Sequence, residues 1–262
     1  MSAEYQIVIP ARMASQRLPG KPLLSIAGRS LLEHVYRQAC KSGAGGVVIA
    51  TDDRKIRDAA AAFGAEALMT SQSHQSGSDR IAECADQLGW TDEQLIVNLQ
   101  GDEPLISTEV LEKVCTAFND PQVQMATPVT KIKTVEDLSD PNLVRVVLDR
   151  EGNALYFTRA IIPFFRDLEK YNDWLNQHDY YKHIGIYAYR KDFLLHLTNL
   201  EPGKLENVEK LEQLRVLENG FKIRAVITDY QSRSVDTKED LIEMNNFITD
   251  HHLTMDEFDA KM

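Results

Sequence analysis

Short apolar runs alternate with amphipathic stretches through the first hundred residues, and this alternation leaves the chain few folds to choose from. Residues 5–9, VVIAT (47–51), a short run at Leu68 and Met69, and LIVNL (95–99) each read as buried strands. Between them, 30–41, 53–63 and 77–88 carry apolar residues at helical spacing. Ser30 is placed to cap the first of these helices and Gly43 to stop it, while Ile56, Ala59, Ala60 and Phe63 share one face of the second. Strand and helix alternating at this interval indicate right-handed βαβ units, hence an α/β chain built on a mostly parallel, doubly wound sheet.

The rhythm then changes. Residues 108–118 still read as helix, but MATPVTKI (125–132), VRVVLD (144–149) and ALYFTR (154–159) follow as strand-like runs in quick succession. A charged, aromatic segment (164–182) leads into HIGIYAYR (183–190), read as one further strand. The pattern predicts antiparallel strands added to, or inserted in, the parallel sheet. Residues 205–219 return to helix, with Leu205, Val208, Leu211, Leu214 and Leu217 as the buried stripe and Gly220 as the stop. A strand at 222–228 and a helix from Thr237, with Asp236 near its N-cap, complete the pattern. With no flexible linker, low-complexity segment or internal repeat, 1–262 reads as one domain, elaborated over roughly 125–200.

The composition, 43% apolar and 26% charged, is that of a soluble globular protein, and no run of about 18 apolar residues marks a membrane span. Glu4 and Gln6 interrupt any secretory apolar region, and Cys40, Cys84 and Cys115 are odd in number and not spaced as metal ligands. A cytoplasmic protein with reduced thiols is expected. The net charge of −11 repels nucleic acid and makes local cations conspicuous.

Three such cations, Arg12, Arg17 and Lys21, fall within ten residues on the loop leaving the first strand (IVIPARMASQRLPGKP, 7–22). Guanidinium forks pair with phosphate oxygens and a lysine supplies a movable point charge, so a loop at the carboxyl end of a buried strand reads as an anion grip rather than a solvated turn. After LIVNL comes Gln100-Gly101-Asp102-Glu103-Pro104. Asp102 there is either a hard oxygen ligand suited to Mg²⁺ or the cap of a turn formed by Gly101 and Pro104. Asp52 and Asp53 compete for the same metal role or cap the following helix. His74-Gln75-Ser76-Gly77 offers close backbone approach and polar groups for a base edge, or simply a helix cap. His183 and Tyr187, four apart on one strand, share a face and with Arg159 can grip a polyhydroxylated acid, though a half-exposed surface or subunit interface accounts for them equally. Glu212 and Gln213 lie off the leucine stripe and by themselves read as solvated, while Asp236-Thr237 reads first as a helix cap and second as another metal carboxylate.

Taken together, these segments resemble the 3-deoxy-manno-octulosonate (Kdo) cytidylyltransferases. The resemblance rests on IPARMASQRLPGKPL (9–23), ATDD (50–53), HQSGSDRIAE (74–83), VNLQGDEPLI (97–106), ALYFTRAIIP (154–163), KHIGIYAYR (182–190), the leucine-rich 205–220 segment and VDTKEDL (235–241), in the family's order. It implies a Rossmann-like nucleotidyltransferase fold of the nucleotide-diphospho-sugar transferase type, and a homodimer with the added strands at its interface. It also implies a reaction: the anomeric hydroxyl of Kdo attacks the α-phosphate of CTP, giving CMP-Kdo for lipopolysaccharide synthesis and pyrophosphate. By the same resemblance, Arg12, Arg17 and Lys21 grip the triphosphate, and Ala11 with Gln75, Ser76 and Gly77 surrounds the cytosine and ribose. Asp102 and Asp236 hold Mg²⁺, and Gln100, Arg159, His183, Tyr187, Glu212 and Gln213 recognise the sugar. Arg12, Lys21, Asp102 and Asp236 form its catalytic set, and no covalent nucleophile is implied.

The chain departs from the family in three places. Ser232-Arg233-Ser234 stands where the family has a glycine before Val-Asp-Thr, Thr158 replaces a serine, and Ser78-Asp79 stands for Thr-Glu or Thr-Asp. The first departure leaves the 8-amino-3,8-dideoxy analogue of Kdo as an alternative substrate, and a silent, regulatory nucleotide-binding relative is the alternative outside enzymes. The acidic tail 246–262, with His251 and His252, extends past the family's usual end and reads as a solvated surface helix.

Overall fold

The computed structural model describes residues 4–14 and 17–250, of which 248–250 are described in backbone only. The tail from 251, including His251 and His252, lies outside the described residues.

In chain order the strands are β1 (Tyr5–Ala11), the small hairpin β2 (Ser25–Ile26) and β3 (Arg29–Ser30), β4 (Gly46–Thr51), β5 (Glu66–Met69) and β6 (Leu95–Asn98). The second half adds β7 (Met125–Lys131), β8 (Arg145–Leu148), β9 (Ala154–Thr158), β10 (Tyr181–His183), β11 (Tyr187–Arg190) and β12 (Arg224–Thr228). Helices α1 (Leu31–Cys40), α2 (Arg54–Ala62), α3 (Gly77–Gln87) and α4 (Thr108–Thr116) connect the parallel strands. The remaining helices are α5 (Val135–Ser139), α6 (Tyr171–Gln177), α7 (Lys191–Thr198), α8 (Lys204–Glu209), α9 (Gln213–Glu218) and α10 (Lys238–Asp250).

The main sheet runs β5-β4-β1-β6-β11-β7, with β12 paired along the far side of β7. β5, β4, β1 and β6 are mutually parallel, and β11 is antiparallel to both β6 and β7. β7 therefore runs with the first four strands, and β12 pairs parallel to it. The expected antiparallel strands are present, with β11 inserted between β6 and β7; the correction concerns the 125–132 run alone, which as β7 runs parallel to the first four strands. The genuinely added strands are β10, β8 and β9, an antiparallel extension from the end of β7. The stretch 183–190 is likewise two strands, because β10 pairs with β7 and β8 whereas β11 pairs with β6 and β7.

The helices follow their sequence signals where capping is local. Ser30 Oγ accepts the Glu33 amide at 3.1 Å, and Ser76 forms a reciprocal capping box with Asp79. The stretch 205–219 does not form one helix. Lys210 adopts φ 57°, ψ 45°, which ends α8 and rotates the apolar face before α9 begins. Leu211 and Leu214 are buried, whereas Leu205 and Val208 are exposed, Val208 at 81%.

Two apolar layers flank the sheet, one around Ile7, Ile9, Val35 and Val110, the other around Val8, Ile81, Phe193 and Leu214. Alternate residues of β1 thus feed opposite layers, as expected for a strand buried on both faces.

Candidate active site

The topology brings one edge of the sheet together. β1, β6, β7 and β12 are parallel, so the loops after Ala11, Asn98, Lys131 and Thr228 all leave at that edge. Because β11 is antiparallel, its first residue, Tyr187, pairs with the last residue of β6, Asn98. His183 reaches the same end through its pairing with Val129 of β7. Open α/β sheets bind ligands outside the carboxyl ends of their strands, and most of the residues singled out above converge there.

At the centre stands Lys21. Its Nζ lies 2.8 Å from Asp102 Oδ2 and 2.9 Å from Asp236 Oδ1, and its side chain is 13% exposed. Burial works against the charged ammonium, but the two carboxylates outweigh it and the Lys21 pKa is raised. Arg17 donates to the same Asp236 oxygen at 3.0 Å from a mostly exposed position. The Asp236 carboxylate does not cap α10. Thr237 Oγ1 accepts the Asp240 amide at 3.1 Å, and Asp240 in turn accepts the amides of Asp236 and Thr237 at 2.8 Å. Asp102 is likewise free of turn capping, with its side chain on Lys21 and its carbonyl accepting the Val235 amide at 2.9 Å.

The competing carboxylates are engaged elsewhere. Asp53 caps α2, accepting the Lys55 amide at 2.7 Å, and Asp52 pairs with the buried Arg80 at 2.8 Å.

Beside Lys21 a cavity of about 190 Å³ is lined by Pro10, Ala11, Arg12, Gln100, Gly101 and Asp102, among others. Arg12 reaches across to the Gln75 carbonyl at 3.4 Å, which ties the first loop to the start of α3. A Cβ on Gly77 would sit 3.4 Å from Pro10 Cγ and 3.9 Å from Gln100 Nε2, so the start of α3 lies against the first loop and Gln100. Gln100 donates to Asn98 Oδ1 at 2.9 Å, and the buried Asn98 donates to the Tyr189 hydroxyl at 3.3 Å.

His183 and Tyr187 do share a face, with ring centroids 5.2 Å apart, although they belong to different strands. His183 Nε2 lies 3.0 Å from Thr127 Oγ1 and its ring packs edge-on against Phe157. Burial lowers its pKa to about 3, which keeps the imidazole neutral. Glu212 and Gln213 are not solvated, because the break at Lys210 turns the start of α9 inward. Gln213 is buried, and its Nε2 donates to no acceptor among the described residues. Glu212 accepts the Ser78 hydroxyl; burial raises its pKa while the hydrogen bonds from Ser78 and Ser76 oppose the rise. Arg159 stands apart from the lysine–carboxylate cluster. Its guanidinium donates to the Asn142 carbonyl at 2.8 Å, and its amide to Glu209 at 3.2 Å.

One further side chain, which no local pattern marks, belongs to this site. Glu103, next to Asp102, points inward and is only 5% exposed. Burial and the neighbouring Asp102 charge push its carboxyl up to about 7, against hydrogen bonds from Ser232 and Tyr230. Adjacent carboxylates look alike in sequence, and only the change of direction after β6 separates them.

A cation held between two carboxylates at the carboxyl ends of a doubly wound sheet, beside a small cavity lined by Arg12 and Gln100, is an arrangement suited to an anionic ligand such as a nucleotide phosphate. The chain matches the cytidylyltransferase family model over residues 6–223. It is 47% identical over 242 residues to the 3-deoxy-manno-octulosonate cytidylyltransferase of Geobacter metallireducens, covering 89% of this chain and 93% of that one. The Pseudoalteromonas translucida enzyme of the same name is 45% identical, with 95% and 99% covered. Among solved structures, the CTP complex of CMP:2-keto-3-deoxy-manno-octonic acid synthetase superposes with a TM-score of 0.86 at 37% identity, over 95% of this chain and 100% of that one. A Leptospira borgpetersenii cytidylyltransferase, 18% identical with a TM-score of 0.62 over 97% and 89%, shares the fold. The chain belongs to the 3-deoxy-manno-octulosonate cytidylyltransferase family.

Proposed function

We infer that this protein transfers CMP from CTP to the anomeric hydroxyl of Kdo, releasing pyrophosphate. The observation that carries the reading is Lys21 bridging Asp102 and Asp236 beside the Ala11–Arg12–Gln100 cavity, in a chain similar over nearly its whole length to a synthetase crystallised with CTP. Arg12, Arg17 and Lys21 grip the triphosphate and neutralise charge on the transferring and leaving phosphates, which is where such a transfer gains most of its rate. Ala11, Gln75, Ser76 and Gly77 enclose the nucleoside, with Ala11 lining the cavity and Gln75 held to Arg12 through its carbonyl.

Two hard carboxylates converging on one point suit Mg²⁺, and Asp102 and Asp236 would hold it. Bound there, the ion supplies Lewis-acid charge and a template between nucleotide and sugar acid. Lys21 shifts from bridging the carboxylates to binding phosphate, while Val235 and Asp240 keep the two acidic loops in place.

Gln100, His183, Tyr187, Glu212 and Gln213 recognise the sugar, with Arg159 available to its carboxylate. The neutral imidazole of His183 and the Gln213 Nε2, which has no acceptor among the described residues, suit hydroxyl groups better than a second charge. The three cysteines take no part: Cys40 is exposed, and burial pushes the Cys84 and Cys115 thiols up to about 12.

The alternatives are not favoured. The relatives above are named for Kdo rather than its 8-amino analogue. The glycine missing before Val235 is not needed, since Ala27 and Lys210 are the only non-glycine residues with positive φ among those described, and neither lies in 232–234. Retention of both carboxylates and Lys21 argues against a silent binder. A homodimer is the proposed assembly, supported by Leu155, 60% exposed on the edge strand β9. A cytoplasmic place and a role in lipopolysaccharide synthesis follow from the same reading; no helix among the described residues is long and apolar enough to cross a membrane. With a net charge of −11, nucleic acid is not a proposed partner. Incubation with CTP, Mg²⁺ and Kdo, followed by ³¹P NMR, tests the reaction: a phosphodiester and pyrophosphate in equal amounts are expected, and unchanged CTP would overturn the reading.

A further inference from the structure

The two proposed metal carboxylates sit on loops far apart in sequence, one after β6 and the other after β12. Besides the Lys21 bridge, two links among the described residues hold these loops together. One is the backbone bond from the Val235 amide to the Asp102 carbonyl at 2.9 Å. The other runs through Glu103: its Oε2 accepts the Tyr230 hydroxyl at 3.2 Å, and its Oε1 accepts the Ser232 hydroxyl. Glu103 thus uses both oxygens of one carboxyl group to fix two residues of the loop that delivers Asp236. The loop is pinned on its other side by Arg233, whose guanidinium lies 4.5 Å from the centroid of the Phe247 ring on α10. Ser232 and Arg233 thus hold this loop through their side chains.

We propose that Glu103, with Tyr230 and Ser232, is a positioning clamp that sets the separation of Asp102 and Asp236 and so the affinity of the site for its divalent ion. Glu103 does not line the cavity beside Lys21, and its carboxyl is taken up by Tyr230 and Ser232, so it acts through the two carboxylates. Removing groups that hold metal ligands in place commonly lowers metal affinity by about 10–100-fold.

The inference rests on the Asp102–Asp236 metal site proposed above, and direct Mn²⁺ binding measured by electron paramagnetic resonance with CTP present, alongside the Mg²⁺ dependence of turnover, tests the two separately. In Glu103→Ala both the Mn²⁺ dissociation constant and the Mg²⁺ concentration for half-maximal rate should rise by about tenfold or more. Glu103→Gln, which retains a carbonyl acceptor, should recover most of that loss. If Glu103→Ala fails to fold, the Tyr230→Phe, Ser232→Ala double variant, which removes only the two hydroxyls, should show the same shift. Folded variants with lowered Tm but wild-type Mn²⁺ affinity would make Glu103 merely structural and overturn the clamp. A wild-type protein that binds no Mn²⁺ with CTP would instead overturn the metal site, and the clamp with it.

Discussion

Replacing Lys21 by Met keeps an apolar stem and deletes the charge between two carboxylates. Each Lys21 contact, at 2.8 and 2.9 Å, is worth about 6 kcal/mol of gross attraction at an effective dielectric constant of about 20, before desolvation is subtracted. Without the ammonium, two Asp oxygens within about 6 Å of one another repel by about 3 kcal/mol on the same scale. Asp102 and Asp236 are 26% and 31% exposed, so solvent screening reduces the net loss to about 1–2 kcal/mol. For a chain of this size that corresponds to a Tm lower by about 2–4 °C in the absence of divalent ions. Added Mg²⁺ should then stabilise Lys21→Met more than wild type, because the freed carboxylates accept the ion without displacing a lysine. Turnover should nevertheless fall by about 10²–10³-fold, since phosphate stabilisation is lost. Differential scanning fluorimetry with and without Mg²⁺ reads the first effect and pyrophosphate release the second. Equal Tm values without metal, and equal gains with it, would refute the electrostatic reasoning.

Asp102→Ala should lower turnover by at least about 10²-fold while the circular dichroism spectrum stays native, and a near-normal rate would remove Asp102 from the site. His183, whose folded pKa is lowered to about 3 from 6.5, binds fewer protons folded than unfolded. Its contribution to stability is therefore complete above about pH 6.5 and lost as pH falls toward 3. At pH 5 the loss approaches about 2 kcal/mol, so urea titrations at pH 7.5 and 5 should show His183→Asn closing on wild type by up to that amount. Leu155→Glu, on the edge strand β9, should shift the protein from dimer to monomer in analytical ultracentrifugation; an unchanged dimer would place the interface elsewhere.

The first half of the fold was legible because its signals are local: apolar runs, caps at Ser30 and Ser76, and charged residues just past strand ends. Arg12 and Asp102 could be singled out because a charge just after a buried strand has to leave the core, and Lys21 because it shares the loop that Arg12 opens. Strand direction was not legible, since MATPVTKI has the same apolar pattern whether β7 runs with β6 or against it. The break at Lys210 was hidden because leucines continue at helical spacing through a single left-handed residue, and with it went the burial of Glu212 and Gln213. Asp52 and Asp53 were separable only by tertiary contact, one meeting the buried Arg80 and the other an amide of its own helix. Glu103 was missed because direction, rather than residue type, distinguishes it from Asp102.

Pyrophosphate release from CTP, measured with Kdo, with its 8-amino analogue and with no sugar, tests the proposed reaction most directly. Release should depend on sugar, and kcat/KM should be highest for Kdo. Sugar-independent release, none at all, or a clear preference for the amino sugar would contradict it.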